Sequence, residues 1–292
     1  MNIIKSRKIF FAISLAIILI GLVTMGVKGL NQGIDFTGGT LVQIDFGKEV
    51  PVNELRMITD ELDAKTDIIH AGDGNHEVII KTTKDLDNKE RLAFFEKFAA
   101  KYDLNEADNL IQSQKFKPSI GDEIRQSAYI SIFIATLCML LYITVRFEFK
   151  FGVAAVVALV HDVLVALAVY AVLQIPITSS FVAAILTIVG YSINDTIVVF
   201  DRIRENRKYF KRNAQEELVN KSIAQTIVRS INTSATTLIT ILCLYIFGVE
   251  AIQDFALPLI VGVAVGTYSS IFIASPVWYM LTKKFKSKSA RA

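Results

Sequence analysis

Three groups of ionisable residues fall inside, or at the mouth of, stretches that are otherwise apolar enough to cross a bilayer: His161-Asp162, Asp195 and Arg229. A charged side chain at mid-bilayer costs roughly 2.5–3.5 kcal/mol on insertion scales, so each position is a candidate for binding or moving an ion. His161 and Asp162 lie about 15 Å into their segment at about 1.5 Å per residue, and by depth they are the most central. Asp195, in Gly190-Tyr191-Ser192-Ile193-Asn194-Asp195-Thr196, stands roughly 9 Å before Asp201 at the charged end of its segment. Arg229 opens the next apolar stretch. Each has a structural alternative: Arg229 can snorkel to headgroups, Asp195 can bond a neighbouring helix, and His161-Asp162 can be a paired contact inside a bundle.

The neighbours of Asp195 and Arg229 point further. Thr187, Tyr191, Asn194 and Asp201 recur at helical spacing beside Asp195, and Arg202 follows at the same end. Arg229, Thr233, Thr236 and Thr240 form one polar stripe on the following segment. Hydroxyl and small residues allow close helix approach and interhelical hydrogen bonds, so the two stripes are expected to face each other. A carboxyl group's proton affinity rises on burial and falls when a guanidinium approaches. A carboxylate with a movable cationic partner therefore meets the requirement for coupling shape change to an ion gradient. No Gly-Lys-Ser/Thr phosphate loop occurs, so ATP is not the expected energy source. No nucleophile with a base in register and no metal-ligand spacing are evident, so neither an enzyme nor a bound cofactor or metal is expected.

These residues need membrane helices to hold them. Of 292 residues 52% are apolar and the mean hydropathy is +0.46, and the surplus comes in blocks. Residues 126–145, 231–249 and 255–282 carry no charge, and a spanning helix needs about 20 such residues. The expected helices are 9–28, 126–145, 151–173, 178–200, 231–249 and 255–282, with Pro176 separating the third from the fourth. The first follows Lys5, Arg7 and Lys8 like a signal peptide. Its long apolar stretch lacks an A-x-A-like site, which favours an uncleaved helix. Cys138 and Cys243 lie in apolar runs and read as buried small hydrophobes. Gly262 and Gly266 have the spacing of a helix-packing face, possible partners including another subunit.

Charge placement sets the orientation. The N-terminal tail, loop 146–150, loop 201–228 (Arg202 to Lys221, including Arg212) and the tail 283–292 (ending in Arg291) are basic, while the alternate loops are not. The positive-inside rule then puts both termini in the cytoplasm, with Trp278 and Tyr279 where an aromatic belt would lie. Residues 29–124 hold 19 acidic and 11 basic residues, a net −8, and are expected outside. The basic remainder is explained by the membrane without nucleic acid. Within 29–124, Val42, Ile44 and Phe46 alternate with polar residues as in a strand. A helix with Val52, Leu55, Ile58 or Thr59, and Leu62 follows, then strands near 67–70 and 76–82 around Gly72-Asp73-Gly74. A second helix presents Leu92, Phe95, Phe98 and Tyr102, and a last strand covers about 107–116. The order βαββαβ predicts an α+β ferredoxin-like domain between the first two membrane helices.

Gly33-Ile34-Asp35-Phe36-Thr37-Gly38-Gly39-Thr40 resembles the opening of the first extracytoplasmic domain of the SecD/SecF family. Val189 to Asn206 closely resembles the fourth-helix signature of its SecF branch, and Gln225-Thr226, Arg229 to Ser234 and Thr236-Thr237-Leu238 resemble the entry to its fifth helix. The similarity covers essentially the whole chain and places it in the RND-like transporter superfamily. The resemblance implies a six-helix half that pairs with SecD beside the SecYEG channel in the bacterial inner membrane, with YajC as a further associate. It implies that an ion gradient, protons or in some members sodium, drives outer-domain movements that help unfolded polypeptide across. It assigns ion coupling to Asp195 and Arg229, whereas depth favours Asp162, and Gly33, Asp35, Gly38 and Gly39 become the outer-domain motif. The competing readings are a passive scaffold of the translocon and an RND-type small-molecule exporter.

Overall fold

The computed structural model describes residues 2–63, 66–116, 118–211 and 214–289. Helix α1 spans Ile3–Lys28 and is followed by a short helix α2, Ile34–Thr37. Next come strand β1 (Gly39–Asp45), helix α3 (Val52–Thr59), strand β2 (Asp67–Ala71), strand β3 (Glu77–Thr82), helix α4 (Asn88–Tyr102), a helical turn α5 (Glu106–Asn109) and strand β4 (Leu110–Phe116). Long helices then follow: α6 (Pro118–Arg146), α7 (Phe149–Leu173), α8 (Ser179–Asn206) and α9 (Gln215–Phe247). The last crossing comprises α10 (Glu250–Ser269), a π-helical turn over Ser270–Ala274, and α11 (Ser275–Ser289). Among the described residues six helices are long and apolar enough to span a bilayer.

The four strands form one antiparallel sheet in the order β2-β3-β1-β4, as expected of a ferredoxin-like domain. β1 buries Val42 and Ile44 on one face against Leu55, Phe94, Phe95 and Phe98. Phe98 meets Phe46 and Phe94 edge-on, with ring centres 6.0 and 5.2 Å apart, a geometry that suits aromatic quadrupoles. Helix α4 starts at a reciprocal cap: Glu90 N–H donates to Asp87 Oδ1, and Asp87 N–H to Glu90 Oε2, both at 2.8 Å. The expected face of α4 needs one change. Leu92 is exposed and Phe94 is buried, because the helix leans on the sheet through Phe94, Phe95 and Phe98.

The third, fourth and sixth crossings form the centre of the membrane bundle. Half or more of their apolar windows is buried, against 6–17% for the first, second and fifth. Small residues set the spacing. A Cβ on Gly21 of α1 would sit 2.2 Å from Ala168 Cβ on α7, and one on Gly262 of α10 would sit 2.2 Å from Ile188 Cδ1 on α8. Gly262 and Gly266 thus pack inside the chain, against α8, and not against another subunit.

Several boundaries differ from the sequence reading. The fifth helix begins at Gln215 and the fourth runs to Asn206, so most of the basic loop 201–228 is helical. Hydropathy detects the apolar span, whereas the helix continues into charged ends where water can satisfy side chains. α6 likewise begins at Pro118, ahead of the apolar run. Trp278 and Tyr279 are 1% and 8% exposed and belong to the core; Trp278 stacks on Phe151 at 4.8 Å. Cys138 and Cys243 face outward, since the peripheral helices α6 and α9 turn most of their apolar surface away from the bundle. Arg212 and Arg291 lie outside the described residues.

Candidate functional site

The two intramembrane carboxylates sit in contrasting surroundings. Asp162 on α7 is fully buried and receives donors from three sides. Ser192 Oγ of α8 and Ser269 Oγ of α10 donate to its Oδ2 at 2.6 and 2.8 Å. His161 Nδ1 lies 3.0 Å from Oδ1. His161 Nε2 lies 2.9 Å from Ser14 Oγ of α1, and the imidazole stacks on Tyr268, whose hydroxyl donates to the Phe10 carbonyl at 3.0 Å. One carboxylate thereby joins four crossings. Polar groups in hydrocarbon must be satisfied within the protein, and here they are.

Asp195, about one turn beyond Ser192 on α8, is 7% exposed. Its Oδ2 is buried without a hydrogen-bond partner, and so is Ser230 Oγ of α9. Ser230 and Arg229 lie on α9, the helix packed against α8. Neither forms a hydrogen bond or ion pair with Asp195 among the described residues. A buried carboxylate oxygen with an unused lone pair is rare in proteins and costly.

The two polar stripes meet only at their inner edges. Tyr191 Oη donates across the α8–α9 contact to the Thr233 carbonyl at 3.3 Å and lies 3.2 Å from Thr237 Oγ1. Thr187, Asn194, Arg229, Thr233, Thr236 and Thr240 are exposed. The hydroxyls of Thr187, Thr236 and Thr240 donate to carbonyls of their own helices. The stripes therefore flank one outward-facing seam with Asp195 just beneath it.

Asp201 and Arg202 clamp the basic end of α8. Arg204 reaches Asp201 at 2.6 Å, and Arg202 donates to Gln225 Oε1 of α9 and to Glu205, both at 2.8 Å. At the opposite end, the glycine motif ties the sheet domain to the bundle. Gly33 N–H donates to the Ile177 carbonyl and Ile177 N–H to the Asn31 carbonyl, at 2.9 and 2.8 Å. Asp35 Oδ2 accepts the Ser179 N–H at 2.8 Å, capping α8. Gly38 and Gly39 have φ of +76° and +145°, and a Cβ on Gly39 would lie 2.2 Å from the Thr82 carbonyl oxygen. Glycine is required at that approach.

Ser14, Ser269, Tyr268, Ser230 and the pair Thr196–Ser270, whose hydroxyls are 2.7 Å apart, are the site residues that sequence reasoning missed. The signal available for them was weak: hydroxyls on otherwise apolar helices, including the Ser269-Ser270 doublet. Among the described residues no group of three or more His, Cys, Asp or Glu is placed to hold a metal.

The chain also matches known protein families and solved structures along most of its length. Residues 97–284 match the family described as protein export membrane protein SecD/SecF, C-terminal, and residues 23–50 match the SecD/SecF GG motif. A protein translocase subunit SecF of Sebaldella termitidis is 37% identical over 98% of this chain and 93% of that relative, and one of Desulfurispirillum indicum is 39% identical over 93% and 88%. The crystal structure of SecDF, a translocon-associated membrane protein from Thermus thermophilus, is similar with a TM-score of 0.79 and 36% identity. It matches 95% of this chain, which spans 38% of that longer one. With matches of this extent to both family descriptions and to full-length relatives, the chain belongs to the SecF family of protein translocase subunits.

Proposed function

We propose that this multi-pass membrane protein pairs with SecD beside the SecYEG channel and couples an ion gradient to protein export through Asp195 and Arg229. The carrying observation is the contrast between the carboxylates. Asp162 has every donor it needs and acts as the structural node, which moves it behind Asp195 despite its greater depth. Asp195 has a buried oxygen without a hydrogen-bond partner, and Arg229 stands beside the buried Ser230 on the helix packed against it. Proton uptake when Arg229 withdraws, and release when it approaches, would alternate the packing of α8 against α9. Protons are the favoured ion, since a single carboxylate with a movable cationic partner is enough to take up and release one. The cap from Asp35 to α8 gives such movement a direct route to the sheet domain.

The outward-facing polar seam supports the SecD pairing, since exposed Asn194, Thr233, Thr236 and Arg229 at bilayer depth call for a polar helix surface to cover them. The basic helix ends support both termini lying in the cytoplasm, with the sheet domain outside, where unfolded exported polypeptide emerges. The test is export of a Sec-dependent reporter in cells whose only copy of this subunit carries Asp195→Asn, with membrane level and SecD co-purification measured alongside. Export at the level of a deletion, with the variant abundant and SecD-bound, is expected. Normal export would rule out coupling through Asp195 and favour a passive scaffold.

A further inference from the structure

Two adjoining cavities lie where the bundle meets the sheet domain. One is an apolar cleft of about 250 Å3 between α1 and α6, lined by Met25, Phe36, Tyr129, Leu167, Phe181 and Ile185. The other is a polar chamber of about 440 Å3 on its domain side, lined by Lys28, Asp35, Asp67, Lys81 and Gln174. Leu30 and Gln32 line both, so the two form one amphipathic recess.

The helix packing explains the cleft. α1 holds α7 closely at the domain end, through Gly21 against Ala168. α6 holds α7 at the opposite end, where a Cβ on Gly152 would lie 2.7 Å from Thr144 Oγ1 and 3.0 Å from Leu140 Cδ1. The two peripheral helices therefore diverge toward the domain and expose the apolar floor made by α7 and α8. Arg125 stands at the junction. Its Nη2 donates to Gln32 Oε1 at 3.1 Å and to the Phe36 carbonyl at 3.3 Å, and its Nη1 lies 3.6 Å from Asp122. Lys28, at the end of α1, lines the polar chamber, and Arg125 lines the cleft. An apolar slot open to the bilayer, continuous with a chamber bearing lysines and aspartates, complements a molecule with an acyl chain, a phosphate and an ammonium.

We propose that this recess binds a phospholipid with an aminoethyl headgroup, taken from the leaflet on the sheet-domain side. One acyl chain enters the cleft beside Leu167. The phosphate lies between Lys28 and Arg125, and the ammonium points toward the carboxylates of the polar chamber. The lipid fills a gap that protein side chains leave between α1 and α6, at the level where the domain is strapped to the bundle.

The test uses the full chain in vesicles of phosphatidylethanolamine and phosphatidylglycerol that contain a trace of phosphatidylethanolamine with a photoactivatable diazirine on its acyl chain. Labelled peptides are mapped after illumination. Labelling at Met25 and Tyr129 is expected to exceed that at Ile130, a neighbour exposed to lipid but outside the cleft, by several-fold. Leu167→Trp, which fills the floor, should remove the excess, and the surface change Lys28→Glu should reduce it while leaving the unfolding midpoint unaltered. Inorganic phosphate should not compete. Equal labelling at Ile130 and Tyr129, or an excess unchanged in both variants, would mean ordinary annular lipid and overturn the proposal. Displacement by inorganic phosphate alone would reduce the recess to an anion site. An equal excess from diazirine-bearing phosphatidylglycerol would refute the headgroup assignment.

Discussion

Replacing Asp162 with leucine tests the division of roles between the two carboxylates. The substitution keeps the branching at Cγ but adds volume, since two methyl groups replace two carboxylate oxygens, and it removes the acceptor for Ser192, Ser269 and His161. Interhelical hydrogen bonds in membranes average about 0.6 kcal/mol in double-mutant cycles; two of the three lost bonds cross helices and the third joins neighbours on α7, so together they are worth about 1–2 kcal/mol. Orphaned buried donors cost about 1–3 kcal/mol each. The two serines can turn to carbonyls of their own helices, however, which keeps the total near 2–3 kcal/mol, or roughly 30- to 150-fold in the unfolding equilibrium. Asp162→Asn retains an acceptor and should fall between. Asp195→Asn breaks no hydrogen bond at Oδ2 and is expected to stay within about 0.5 kcal/mol of the parent. Unfolding by a denaturing detergent in mixed micelles can be followed by Trp278, the single tryptophan, which is buried against Phe151. The reasoning fails if Asp162→Leu unfolds at the parental midpoint, or if Asp195→Asn is destabilised as much.

Two other substitutions probe close approaches. Gly39→Ala places a methyl group 2.2 Å from the Thr82 carbonyl oxygen at a φ of +145°. The obstacle is backbone of the neighbouring strand, so the cost should reach about 2 kcal/mol or more, read as faster hydrogen exchange of β1 and β3 amides. Gly262→Ala should cost about 1–3 kcal/mol by overpacking against Ile188, and Ile188→Ala in the same chain should recover most of the loss in a double-mutant cycle of unfolding midpoints.

The sheet domain was the most legible part of the sequence because its period is local. Val42, Ile44 and Phe46 must share a face of any strand, and the strand order follows from βαββαβ connectivity. The six crossings were equally plain, since each is long enough to read without its neighbours. Their ends were not, because charged residues such as Glu216 and Arg204 continue a helix beyond the apolar span. Burial direction also escaped the sequence. Trp278 and the two cysteines lie in runs that are apolar on all sides, where composition cannot distinguish bundle from lipid. The Asp195–Arg229 neighbourhood was suggested by spacing, but the asymmetry between Asp195 and Asp162 depends on Ser269 and Ser14, which reach the site from crossings remote in the chain.

The π-helical turn at Ser270–Ala274 has a consequence for how the last crossing tolerates change in length. Such a turn holds one residue more than an α-helical turn and leaves its carbonyls less well paired; Ser275 Oγ answers by donating to the Ser270 carbonyl at 3.1 Å. Each residue of an α-helix advances the azimuth by about 100°. Deleting one residue from this turn would leave Ser269 bonded to Asp162 but rotate everything beyond it by roughly that angle, swinging Trp278 off Phe151 and out of the core. The extra residue acts as a phase shifter. It lets one continuous helix present its serines to α7 and α8 in its first half and its tryptophan to α7 in its second, two alignments that a regular helix of the same sequence would put out of step.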